Sequence, residues 1–351
     1  MPEYDVVVVG GGPAGISTAI NCSMLGMSVL LLEKDKPGRH KPCGGVLPWI
    51  TAEVIEDTIG EELHADVMKN PTELGLFYVP PSGRNKSGRV SNYKIHNIDR
   101  DKFDAWLMKV ADTSNVDVLT GTRFTDLTDS EIHAVRGDEK IQVKYKYLVG
   151  ADGVRSKVRR LISPEPAEVL IVGQELLRCR YDDVLSDCFS GFFRNDLSIA
   201  YAYTIPKGED LLIGLGVQPK SSPNISEAMH LFKNWLTSDF SFEEKQLRTK
   251  EVWAIPFGFF ASGAKNTILV GDAAGLCNPL SGEGIRLGIE SGESAAAAIA
   301  RAENGADLQL SYRTEIGGLA NMVKGIHDFV LSLDDTDREQ FVSEELARGV
   351  V

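Results

Sequence analysis

Cysteine is scarce in this 351-residue chain, and its five cysteines (Cys22, Cys43, Cys179, Cys188 and Cys277) form no close pairs. Without C-x-x-C or Cys/His clusters at ligand spacing, neither a zinc site nor a disulfide framework is indicated. Reduced thiols in a cytoplasmic protein are the expectation. Long apolar runs are missing too. No uninterrupted stretch approaches the roughly 20 residues that span a bilayer. The charged Met1–Asp5 segment lacks a signal-peptide pattern. No transmembrane segment is expected, and peripheral contact with a membrane stays open. Positive charge is in deficit, with 37 Lys and Arg against 50 Asp and Glu and a formal net charge of −13. Nucleic acid, which is bound through clustered cations, is not expected as a partner. The densest basic stretch, Lys140–Lys146, alternates with apolar residues and reads as the solvated side of a strand. There is no P-loop, G-x-S-x-G or internal repeat, and the six histidines form no recognisable catalytic arrangement.

What is present suits a globular protein. Hydrophobic residues make up 43% and charged residues 25%, which excludes disorder for the bulk of the chain. The length suggests two structural units or a single domain with an insertion. Asp5–Val9 is a continuous valine run suited to a strand buried on both faces. It leads into Gly10-Gly11-Gly12-Pro13-Ala14-Gly15, then apolar residues at helical spacing over Ile16–Leu25, then a second strand over Ser28–Leu32 that ends in Glu33. This is the G-x-G-x-x-G dinucleotide fingerprint in its strand–turn–helix–strand context. Gly10 permits the tight turn, Gly12 lets backbone approach a pyrophosphate, and Gly15 allows close helix–strand packing. The helix start offers free N–H groups to phosphate. Glu33, eighteen residues after Gly15, can accept bonds from ribose hydroxyls. The fingerprint alone does not choose between NAD and FAD.

Two later segments do. Tyr147–Ser156 is a strand running into Asp152-Gly153, followed by the basic Lys157–Arg160. Thr267–Gly275 is a strand ending in Gly271-Asp272, followed by Asn278-Pro-Leu-Ser-Gly282-Glu283-Gly284-Ile285 and a long helix. An Asp at the carboxyl end of a strand sits where doubly wound sheets hold ligands. The glycine-rich turn offers N–H groups at a helix start to the partly negative edge of a reduced flavin.

Together these segments resemble the FAD-dependent hydroxylase-type flavoproteins of glutathione-reductase-like fold. More narrowly, the chain is similar to the geranylgeranyl reductase family. Lys41-Pro42-Cys43-Gly44-Gly45 matches its Pro-Cys-Gly-Gly element, and Arg100-Asp-Lys-Phe103-Asp104-Ala-Trp-Leu107 matches its Arg-x-x-Phe-Asp-x-x-Leu helix start. Tyr201-Ala-Tyr203-Thr-Ile205-Pro206 matches its Tyr-x-Trp-x-Phe-Pro substrate-side element, with Tyr for Trp and Ile for Phe. The resemblance implies FAD as cofactor, contacted by Gly12, Ala14, Glu33, Arg100, Asp272, Gly284 and Ile285, with a backbone contact to adenine at Phe124. The expected cofactor set is completed, within the same motifs, by Gly10, Pro13, Gly15, Lys34, Cys43, Gly44, Gly45, Asp152, Gly153 and Gly282. It further implies that the Cys43 turn borders the flavin ring and that Cys43 takes part in catalysis, against the bland alternative of a small buried thiol. Arg100 has a competing reading as a helix-start ion pair with Asp99 or Asp104. Tyr201 and Tyr203 share a face if Ser198–Ile205 is a strand, and the resemblance makes them substrate-lining. Glu283 either tunes the flavin, donates a proton or points to solvent.

The expected fold is α/β: a discontinuous Rossmann-type FAD-binding domain (1–72, 96–162 and 262–330) with an inserted, mainly antiparallel β substrate domain (73–95 and 163–261). Residues 331–351, charged from Asp334, read as a surface helix or tail. Three functions fit. The first is reduction of carbon–carbon double bonds in a polyprenyl lipid of geranylgeranyl type, by hydride from reduced FAD and a proton from an acid such as Cys43. The second is flavin-dependent hydroxylation of an aromatic or similar small molecule. The third, a non-catalytic flavin carrier, leaves an inserted domain of this size without a purpose. NAD(P)H or a reduced ferredoxin-like protein would supply the electrons.

Overall fold

The computed structural model describes residues 1–36, 38–163, 166–219 and 223–348. Two eight-stranded sheets organise them. In the first, strand Glu3–Val9 lies centrally, parallel to both Val29–Leu32 and Glu139–Gly150. Its four valines are buried on both faces, as the unbroken apolar run requires. Thr267–Leu269 and Asp117–Leu119 extend the sheet in parallel on either side. The hairpin Thr122–Leu127 and Glu131–Arg136 folds back from Glu139–Gly150. Along that last strand Lys140, Lys144 and Lys146 are exposed, the solvated face that the alternation predicts.

Helix Pro13–Met24 packs against helix Ile285–Glu303, which in turn packs against the long helix Leu308–Ser332. The first pair approaches closely because position 292 is glycine. A side chain there would begin 2.6 Å from the Ala14 carbonyl oxygen.

The second sheet runs in the spatial order Glu243–Pro256, Val169–Arg180, Asp210–Val217, Ala202–Lys207, Cys188–Phe192, Met68–Val79, Gly88–Ile98 and Val46–Pro48. All its pairings are antiparallel except Cys188–Phe192 with Met68–Val79. Helix Ile225–Phe240 starts with a capping box between Asn224 and Glu227, which satisfies N–H groups at its first turn. It buries Phe232, Trp235 and Phe240, whose rings meet Phe192 edge-on.

The structure corrects three expectations. The second sheet reaches into the segment assigned to flavin binding, because Val46–Pro48 belongs to it and Met68–Val79 crosses the expected boundary at 72/73. The strand expected over Ser198–Ile205 begins only at Ala202. Residues 198–201 leave the ladder because other groups take their bonds. Ser198 Oγ donates to the Gly216 carbonyl at 2.7 Å. The Arg338 guanidinium donates to the carbonyls of Ile199 and Ala200.

That arginine is also the third correction. The charged C-terminal stretch forms helix Asp335–Arg348, yet Arg338 and Val342 on it are fully buried. Arg338→Met leaves two buried carbonyls without donors, so it is expected to destabilise the fold by about 3 kcal/mol. Chemical denaturation would show this as a lowered midpoint at unchanged slope.

Candidate active site

The carboxyl ends of the central parallel strands and one face of the second sheet enclose a continuous cavity of about 880 Å³. That volume lies within the range of small-molecule sites. Of the expected residues, Gly10, Gly12, Pro13, Ala14, Glu33, Lys34, Cys43, Gly44, Arg100, Phe124, Asp152, Gly153, Tyr201, Tyr203, Asp272, Gly282, Gly284 and Ile285 all line it. Gly15 and Gly45 do not. A side chain at Gly15 would begin 1.9 Å from the Gly10 carbonyl oxygen, the tight helix–strand packing expected of the third fingerprint glycine. Gly45, at φ +63°, faces the Ile98 carbonyl and Lys207.

Two helices begin at this cavity, at Gly12 and at Gly284, and no side chain caps either. Around the position where a Gly12 side chain would start, only Arg39 Nη2 comes near, at 3.7 Å. Their first-turn N–H groups therefore open on the cavity with the positive ends of two helix dipoles behind them. An elongated ligand with an anionic middle and a polar ring edge answers both starts, so the donor set fits FAD. Glu33 closes this end. Its carboxylate accepts from the Gly11 N–H at 2.7 Å and the Asp35 N–H at 2.9 Å.

Arg100 realises both of its readings at once. It lines the cavity, and it pairs with Asp104 at 2.6 Å. Burial works to lower its pKa, but Asp104 and the neighbouring Cys43 thiol raise it further, so the guanidinium stays charged. Asp104 also receives Arg39 Nη2 at 2.7 Å. The Asp152 carboxylate also accepts from Ser156 Oγ at 2.5 Å, the Lys157 N–H at 2.6 Å and the Val158 N–H at 3.2 Å. These bonds hold the carboxylate in place at the start of helix Lys157–Ile162, at the cavity wall. Asp272 faces Lys41, with Nζ at 3.7 Å. Glu283 pairs with Arg286 at 2.7 Å, which disfavours a free solvent-pointing carboxylate.

Beyond the Cys43 turn the cavity becomes apolar, lined by Leu76, Tyr78, Phe189, Tyr201, Tyr203 and Trp253 among others. Phe189 contacts the rings of both Tyr201 and Tyr203, so the two tyrosines do share a side although Tyr201 precedes the strand. Burial pushes both phenols far above their ordinary range, which keeps them neutral. Cys22, Cys188 and Cys277 are buried, and Cys179 is half-buried. Among the described residues no cluster of His, Cys, Asp or Glu could hold a metal ion. No helix among them is long and apolar enough to cross a membrane.

A family model described as an FAD binding domain matches residues 3–175. The geranylgeranyl diphosphate reductase of Rhodobacter capsulatus is 30% identical, over 97% of this chain and 88% of its own length. The chain belongs to the geranylgeranyl reductase family of FAD-dependent oxidoreductases. The digeranylgeranylglycerophospholipid reductase of Methanothrix thermoacetophila is 29% identical over 95% of this chain and 89% of its own. In fold, a geranylgeranyl bacteriochlorophyll reductase-like protein from Thermoplasma acidophilum superposes with a TM-score of 0.83. It covers all of this chain and 93% of its own at 20% identity.

Around the Cys43 turn stand polar side chains that no motif reveals. Gln174 donates to the Cys43 carbonyl at 3.4 Å and to Glu251 at 2.6 Å. Tyr203 donates to Gln174 Oε1 at 3.4 Å. His40 bonds Asp101 through Nδ1 at 2.8 Å and Glu251 through Nε2, which raises its pKa. The loop carrying Cys43 is thus tied to the second sheet by side chains from strands far away in sequence.

Proposed function

We propose that this chain reduces carbon–carbon double bonds of a polyprenyl lipid of geranylgeranyl type. The observation that carries the reading is the continuity of the cavity. One end presents two uncapped helix starts and Glu33, the other an aromatic, apolar arm, and the Cys43 turn stands at their junction. The names of the relatives support the same substrate class.

In this reading the helix starts at Gly12 and Gly284 hold the cofactor's pyrophosphate and ring edge, Glu33 its ribose, and Arg100 sits beside the Cys43 turn. When bound and reduced, FAD supplies a hydride for one alkene carbon. Cys43 provides the proton for the other carbon, directly or through a water. An isolated alkene is unactivated, so the arm has to exclude water from developing positive charge. Leu76, Phe189 and the neutral phenols of Tyr201 and Tyr203 do this, and their packing holds the chain in line. The electrons come from NAD(P)H or from a reduced ferredoxin-like protein, and the enzyme works in the cytoplasm with peripheral contact to the membrane that stores its substrate.

The hydroxylase reading shares the fold and differs in its use of oxygen. With a geranylgeranyl lipid and a chemical reductant, product should gain hydrogen and no oxygen atom, and its amount should not track oxygen uptake. Oxygenated product formed in step with oxygen consumption would establish the hydroxylase instead.

A further inference from the structure

Two carbonyls of the Pro-Cys-Gly-Gly turn, those of Cys43 and Gly45, accept from side chains of the second sheet, and the Gly45 carbonyl also accepts from the Ile98 N–H at 2.8 Å. Gln174 reaches the Cys43 carbonyl. Lys207, directly after the Tyr201–Pro206 element, reaches the Gly45 carbonyl at 2.8 Å. The same ammonium donates to Asn97 Oδ1 at 2.5 Å and to the Ile98 carbonyl at 3.2 Å. An ammonium has three N–H donors, and here each meets an oxygen. Asn97 is itself fixed, donating through Nδ2 to the carbonyls of Pro71 and Pro206 at 2.9 Å each. Among the described residues no carboxylate is paired with Lys207. Asp210, opposite it in the neighbouring strand, is engaged by Arg178 and Arg248, and Glu209 by Arg178.

A buried lysine without a counter-ion is costly unless its bonds are worth keeping. The Gly45 backbone supplies the reason. At φ +63° the turn brings its α-carbon so close that an added side chain would begin 2.8 Å from Lys207 Nζ. We propose that Lys207 is a positioning residue that clamps the turn to the second sheet and so aims Cys43 into the cavity. The inference rests on the reading that Cys43 is the reacting group of the site.

The clamp depends on charge. Burial pulls the Lys207 pKa down to about 7, with Cys43 and Asp99 acting to raise it and Lys69 to lower it. Below that value all three donors are present. As pH rises through it, one of the three donors is lost and the amine can hold only two of the three oxygens. The stability linkage has the opposite sense. The folded pKa lies below the ordinary 10.5, so between the two values the unfolded chain binds the extra proton and stability rises with pH.

The test compares the FAD-loaded wild type with Lys207→Met and Lys207→Gln. It reads the alkylation rate of Cys43 by peptide mass mapping, with Cys22 and Cys188 as buried internal references. Both variants should retain flavin. Freeing the turn should change the Cys43 rate at pH 6.5 at least about fivefold and leave the reference thiols unchanged. The wild type should gain melting temperature from about pH 7 to 9, and this gain should shrink in both variants. Lys207→Gln retains polar contact with part of the oxygen cluster, which keeps the comparison available should the methionine variant fold poorly. An unchanged Cys43 rate in a folded variant would overturn the clamp. If the enzyme reduces no polyprenyl lipid at all, the functional reading fails, and the alkylation result still decides the clamp.

Discussion

Gly15→Ala should purify with less flavin than the wild type. The methyl group would have to occupy space 1.9 Å from the Gly10 carbonyl oxygen. Gly10 cannot retreat. It sits at φ +111°, and its own side-chain position is already blocked by the Ala151 carbonyl oxygen at 2.3 Å. Backbone presses on backbone from both sides, so helix Pro13–Met24 must back away from the central strand. Overpacking of this kind costs about 1–3 kcal/mol, sometimes more. The displaced helix start then no longer presents its N–H groups to the cavity. Since each 1.4 kcal/mol is about tenfold in affinity, a cost of that size weakens flavin binding by about fivefold to a hundredfold or more, and flavin absorbance per protein should fall after purification, with a lower melting temperature. Full flavin content in Gly15→Ala would contradict the placement of the cofactor at this turn.

Cys43→Ala should show the reverse pattern, with flavin retained and turnover lost. Cys43 lines the cavity where the polar and apolar ends meet. The Gly45 N–H donates toward its sulfur at 3.4 Å, and Arg100 lies alongside. Its neighbour Gly44 leaves little room, because a side chain there would begin 3.0 Å from Ile205 Cδ1. The thiol is therefore held in place rather than free to swing. A positioned general acid contributes about 10²–10⁴-fold, so formation of saturated lipid should fall by about 10²-fold or more. Cys43→Ser should fall less if its hydroxyl can relay a proton. Equal activity in wild type and Cys43→Ala would remove Cys43 from the chemistry.

The nucleotide end of the site is legible in the sequence because its demands fall on consecutive backbone. Gly10, Gly12 and Gly15 are each fixed by what a side chain would collide with or block, and Glu33 follows at a set distance along one βαβ unit. The remainder is harder to read because it is assembled across the chain. Gln174 and Lys207 meet the Cys43 turn, and Glu251 meets Gln174, only once the strands of the second sheet have paired. Nothing local marks them. Asp152 carries a second task that the motif does not announce: its carboxylate also holds Ser156 and the first N–H groups of the next helix. Arg338 was hidden by its company. A charged helix reads as surface, and only the open carbonyls of Ile199 and Ala200 explain why this arginine is buried.

The central claim is that one cavity joins a flavin to an alkene and transfers hydrogen between them. Its most direct test is a single turnover without oxygen. The flavin is reduced chemically, excess reductant is removed, and a geranylgeranyl lipid is added while flavin absorbance and the lipid's mass are followed. The account predicts reoxidation matched one-to-one by double bonds saturated, slowed strongly in Cys43→Ala. A flavin that stays reduced with the lipid and reoxidises only when air is admitted would contradict it.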